Sequence, residues 1–161
     1  MATPSPSSET LEELAKRVFA ELHQALPSYE DGALRGDKES IHDMRVTTRR
    51  LRVAISNFAA CLPAGMQQKI RLQLTLLADT LGRVRDIDVM LESLMAIEKN
   101  LPLTRQDMIA DLSTRLRRRR RYHQRRLGLY LRGEDYAHLK RSLPELVTGV
   151  DSAVQTPGAQ I

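Results

Sequence analysis

Between Ile41 and Arg52 the chain reads IHDMRVTTRRLR. Wound as a helix, this segment brings His42, Arg45, Arg49 and Arg52 within an arc of roughly 80°. Met44, Leu51, Ile55, Phe58 and Leu62 gather on the opposite side. A guanidinium offers a planar fork of donors that matches carboxylate or phosphate, and an imidazole adds a donor whose charge can switch. Cations stacked one turn apart repel one another unless something neutralises them. Glutamates of another helix or bulk water would satisfy such a stripe, and so would a bound anion.

Two further clusters bear on that choice. In LGRVRDIDVML, residues 81–91, Leu74, Leu77, Leu81, Val84 and Leu91 mark a buried side; Asp88 falls within it and Arg85 at its margin. An unpaired buried carboxylate is costly. Asp88 is therefore expected to meet Arg45 or Arg49 and to act as a structural orienter, fixing a guanidinium in one rotamer for an incoming anion. Metal ligation by Asp88 is disfavoured by the excess of nearby arginines. The run RLRRRRRYHQRR, Arg115 to Arg126, lies within an apolar repeat read as Leu112, Leu116, Leu127 and Tyr130. Arg115, Arg119 and Arg126 share one edge, with His123 beside it on the apolar side. The five consecutive arginines 117–121 encircle the helix, so they cannot all face one ligand. Tyr122 and Tyr130 read as packing residues, and His23 and His138 have no supporting constellation.

The elements that position these residues are helical. The 161 residues are rich in Leu, Ala, Arg and Glu, hold only 8 Gly and 7 Pro, and lack tryptophan, which predicts an all-α domain with an aliphatic core. Residues 1–8 read as a flexible tail. A first helix starts near Glu9 and ends in the loop DGALRGDK, and a second, capped by Asp37 or Ser40, runs to Pro63 and Gly65. A third spans about Met66 to Asn100, and a fourth starts near Leu103 and breaks at Gly133. The expected architecture is an antiparallel four-helix bundle over residues 9–143, followed by a partly disordered tail over 144–161.

Charge is segregated along the chain beneath the formal total of +5. Residues 1–40 carry four basic against eight acidic side chains, whereas residues 101–142 carry twelve against four. A one-sided positive field concentrates polyanions. The single Cys61 cannot form an internal disulfide and has no base to activate it. No stretch has the length of a membrane span, and the acidic amino-terminal stretch is unlike a secretory leader, so no membrane partner and a cytoplasmic location are expected.

The segments GDKESIHDMRVTTRRLR, LGRVRDIDVML and RRYHQRRLGLYLRGEDYAHL, in this order, resemble the first half of the CHAD family, the conserved histidine α-helical domain. The resemblance covers residues 10–143. It implies a module that binds inorganic polyphosphate in an Arg/His-lined basic cleft, with no catalytic residue, cofactor or metal of its own. It carries over His42, Arg45, Arg49, Arg50, Arg52 and Arg85 as binding residues, with Arg115, Arg119, His123 and Arg126 on a looser match. Such a ligand would also place the protein at polyphosphate granules. Family members hold two four-helix repeats and this chain shows one, which implies either a half domain or a homodimer that completes the pair.

A basic helical segment suits a nucleic-acid backbone, but stacking aromatics are scarce and no docking motif is evident. The His42-Asp43 doublet, with Asp86 and Asp88, resembles part of a metal-dependent phosphohydrolase site, yet adjacent helical residues point about 100° apart and the further histidine is unplaced. A scaffold whose arginines meet acidic proteins is the remaining alternative.

Overall fold

A computed structural model describes residues 9–99, 102 and 106–154. Those residues form helices and turns, with no strand among them. The helices are α1 (Leu11–Ser28), α2 (Glu30–Arg35), α3 (Lys38–Asn57), α4 (Ala64–Glu98), α5 (Gln106–Leu131), α6 (Glu134–Ser142) and α7 (Glu145–Val154), with a 3-10 turn at Ala59–Cys61. The all-α class follows from the sequence, but the bundle is built from more pieces than four rods.

Local chemistry sets several boundaries. Thr10 and Glu13 form a reciprocal capping box at the start of α1, satisfying two amides that the helix cannot. The predicted loop DGALRGDK is largely helical. It holds α2, which stops at Gly36 in the left-handed region at φ 82°, a conformation that costs a side-chain-bearing residue about 1–2 kcal/mol. At Gly32 the start of α3 comes so close that an added Cβ would lie 2.5 Å from Ser40 Cβ. Asp37 caps α3 by accepting from the Ser40 amide at 2.8 Å. The helix ends at Asn57 rather than at Pro63, because the 3-10 turn takes over the intervening residues.

The core is aliphatic, as composition requires. α4 packs between α3 and α5, while α1 packs on α3 and α7. Phe19, Leu26, Ile41, Met44, Leu51, Ile55, Leu74, Leu77 and Leu81 are fully buried, and each contributes about 1.5–3 kcal/mol. Phe19 and Phe58 meet edge to face at 5.8 Å.

The carboxyl-terminal expectation needs correction. α7 is a helix, and its Leu146 and Val150 belong to the core, so the folded unit does not stop at residue 143. Pro144 initiates this helix rather than ending order, since its carbonyl accepts the amides of Val147 and Thr148 and its missing N–H is no loss there. The expectations for residues 1–8 and 155–161 lie outside the described residues.

Candidate functional site

The start of α3, which carries the arginine stripe, is held by a latch reaching across from α5. Asp88 of α4 is fully buried, and its partner is Arg120. Arg120 Nε donates to Asp88 Oδ1 at 2.5 Å and Nη2 to Oδ2 at 3.2 Å, a two-pronged pairing that matches guanidinium to carboxylate geometry. Nη2 also donates to the Gly36 carbonyl at 3.0 Å, and Gln124 Nε2 donates to the Ala33 carbonyl at 2.7 Å. The last turn of α2 and the first of α3 are thereby fixed to α4 and α5.

The expectation that Asp88 orients Arg45 or Arg49 is therefore wrong about the partner. The error lies in the phase assigned to α5. Arg120 and Gln124 lie in step with Leu127 and Leu131, which are buried, whereas Leu112 is 44 % exposed. The repeat read through Leu112, Leu116, Leu127 and Tyr130 shares Leu127 with the buried seam but is centred to one side of it, the seam passing through Ser113, Arg120, Gln124, Leu127 and Leu131. Spacing from Leu127 and Leu131 would have picked Arg120 out of the five arginines. Tyr122, read as a packing residue, is exposed.

An open groove of about 530 Å³ runs between α3 and α4. Arg45, Arg49 and Arg52 line one wall, while Asp79, Arg83 and Asp86 line the other. Ala78 and Gly82, one turn apart on α4, also line it; their small side chains leave room between the walls. The groove lining thus holds four guanidiniums and two carboxylates. Arg45, Arg49 and Arg52 converge there as their common arc predicts, and Arg83 joins them unanticipated. Arg85, the arginine that LGRVRDIDVML offers at the margin of the buried side, instead turns to Glu92 at 3.3 Å.

The remaining candidates divide. Arg50 lines a different depression, between α1 and α3, with Val18, Leu22, Val53 and Phe58, and Arg49 borders both. His42 lies one turn before Arg45, with its Nδ1 buried and lacking a hydrogen-bond partner. Arg115 is paired with Asp111 at 2.8 Å, and with Arg118, Arg119 and Tyr122 it lines a shallow depression on α5. Arg126 Nη1 donates to the Tyr122 hydroxyl at 3.3 Å.

His123 connects the two regions. Its Nδ1 is buried without a partner, and its ring meets Tyr122 edge to face at 5.1 Å. Burial lowers its pKa below 6.5, and the positive charges of Arg119, Arg83 and Arg126 lower it further. Arg83 thus belongs both to the groove wall and to the charge field around His123. The arrangement suits capture of an anion that supplies acceptors along α3, over Arg83 and towards the edge of α5.

The CHAD domain family profile matches residues 17–160. The chain belongs to the CHAD domain family. No match to this chain is found among curated proteins. The matched span of the CHAD domain extends past Leu143 over α7, in agreement with the burial of Leu146 and Val150. Among the described residues of this CHAD domain, no three His, Cys, Asp or Glu side chains gather into a metal-binding group, and His42 and Asp43 do not meet Asp86 and Asp88 in one. No described helix is long and apolar enough to cross a membrane.

Proposed function

We propose that this CHAD domain is a non-catalytic binding module for inorganic polyphosphate, held by Arg45, Arg49, Arg52 and Arg83 in the α3–α4 groove. Its family binds polyphosphate-related ligands in general. The observation that carries the finer reading is the convergence of these four guanidiniums on one open trough whose lining holds no aromatic ring. Polyphosphate offers about one negative charge per phosphate along a chain without bases, so guanidinium forks recognise it fully and stacking platforms add nothing. Asp79 and Asp86 in the same wall disfavour a deeply seated lone anion and favour a polymer that makes many contacts of modest strength. Arg119, His123 and Arg126 extend the track, and His42 continues the α3 stripe one turn before Arg45. Arg50, Arg85 and Arg115 are outer contacts at most, given their placements. The protein acts in the cytoplasm, at polyphosphate granules, without cofactor, and as two copies.

Competition tests this reading. Each charge-assisted contact contributes about 1.5–3 kcal/mol, so Arg45→Ala with Arg49→Ala should weaken polyphosphate binding by about two orders of magnitude or more while helicity persists. Fluorescence anisotropy with labelled polyphosphate measures the affinity, and circular dichroism measures the helicity. Duplex DNA or polyglutamate displacing the label as well as polyphosphate does, at equal charge, would remove the specificity claimed here.

A further inference from the structure

α4 is a 35-residue helix with two seams of the same three-four spacing, on different faces. One runs through Ile70, Leu74, Leu77, Leu81, Val84 and Leu91 and is buried against the neighbouring helices. The other begins at Leu72 and Leu76 and ends at Met90 and Ile97, and these four side chains are 65, 46, 51 and 50 % exposed. A helix face meant for solvent carries polar residues, and a three-four apolar repeat is the pattern by which one helix meets another. The centre of this outer seam is polar, with Asp79, Arg83 and Asp86 in step with the apolar ends. Although Arg83 stands one turn from each carboxylate, the three form no ion pair within the chain among the described residues.

We propose that this outer seam of α4 is the docking face for a second copy of the same chain, α4 lying antiparallel to α4 about a two-fold axis. The charge order decides both partner and direction. A parallel copy would set Arg83 against Arg83 and Asp86 against Asp86. An antiparallel copy sets Arg83 against Asp86 of the partner subunit, twice, at the centre of an isologous contact. The ends then match as well: Leu72 lies 11 residues before Arg83 and Ile97 lies 11 residues after Asp86, so Leu72 comes level with Ile97 of the partner subunit. The charged centre fixes the antiparallel orientation: a shift of seven residues sets Arg83 against Asp79 of the partner subunit and Leu72 against Met90 of the partner subunit, so both alignments join opposite charges and only antiparallel ones do. This deepens the two-copy reading above by naming its surface. Because Asp79, Arg83 and Asp86 also form one wall of the α3–α4 groove, the pairing brings the two grooves together across the axis.

Sedimentation velocity and light scattering of the full chain over a concentration series test the pairing. The unmodified chain should approach twice 18.2 kDa, and Leu72→Glu with Met90→Glu should sediment as a folded monomer. Arg83→Glu alone, and Asp79→Arg with Asp86→Arg, should each be monomeric, yet an equimolar mixture of these two should recover the dimer mass. An unmodified chain that stays monomeric at every concentration would overturn the proposal, as would a dimer indifferent to Leu72→Glu with Met90→Glu, or a mixture that does not recover. Circular dichroism keeps misfolding separate from dissociation. The Leu72→Glu with Met90→Glu chain retains the groove arginines and should still bind polyphosphate. An unmodified chain that is monomeric yet binds polyphosphate refutes only the seam, and a dimer that binds no polyphosphate refutes only the ligand.

Discussion

Replacing Asp88 by Asn tests the latch that fixes the start of α3. The substitution keeps the size of the side chain but removes the charge that compensates Arg120. Removing one partner of a buried ion pair costs about 3–5 kcal/mol. Arg120 is partly reached by solvent, at 18 % side-chain exposure, and keeps its bond to the Gly36 carbonyl, so the lower figure of about 3 kcal/mol applies. For a chain of this size, that corresponds to a fall in Tm of roughly 6–12 °C. Because the latch also holds the last turn of α2, polyphosphate affinity should fall with stability. Thermal and urea unfolding followed by circular dichroism measure the effect. The decisive comparison is Asp88→Leu with Arg120→Met. Removing both charges should recover most of the lost stability, because an apolar pair of similar volume carries no uncompensated charge. A single variant within about 2 °C of the parent, or a double variant no better than the single, would refute the reasoning.

Two further outcomes follow from the site and from the turn beside it. His123 is held below its usual pKa of 6.5 by burial and by three guanidiniums, so binding a polyanion should raise its pKa, take up a proton and strengthen as pH falls from the raised bound value towards the lowered free one. Calorimetry in buffers of different protonation enthalpy reads that uptake, which His123→Gln should abolish; without ligand, stability should decline as pH falls from 6.5 towards the lowered folded value, because the unfolded chain takes the proton more readily. Gly36→Ala forces a side-chain-bearing residue to φ 82° and should cost about 1–2 kcal/mol, read as a lower urea midpoint at unchanged slope.

The parts of the fold and site that were legible in the sequence are those where one helix supplies both the signal and its meaning. The arc of Arg45, Arg49 and Arg52 is a property of α3 alone, and opposite buried residues such as Met44 and Leu51 fix its direction. The start of α3 was legible for the same reason, with Asp37 or Ser40 as its cap, and the structure selects Asp37. Arg120 was obscured because five consecutive arginines sample every direction around α5, and only the position of α4 decides which one turns inward. Arg83 carries no such signal, because its place in the groove depends on the opposing wall of α3. Tyr122 has the character of a packing residue, and only the phase of α5 turns it outward. Pro144 shows a different ambiguity, since proline closes one helix and opens the next with equal ease. Leu146 and Val150 stand at helical spacing behind it, and only their burial against α1 shows which applies.

With no tryptophan and only four tyrosines in the chain, near-ultraviolet emission comes from phenols alone. Tyr122 stands exposed in the depression with Arg115 and Arg119, its hydroxyl receiving the Arg126 guanidinium, whereas Tyr130 and Tyr136 lie in the interior side by side. Tyr122 is thus an optical reporter beside Arg115, Arg119 and Arg126, readable without any dye, whose share of the emission the single change Tyr122→Phe removes.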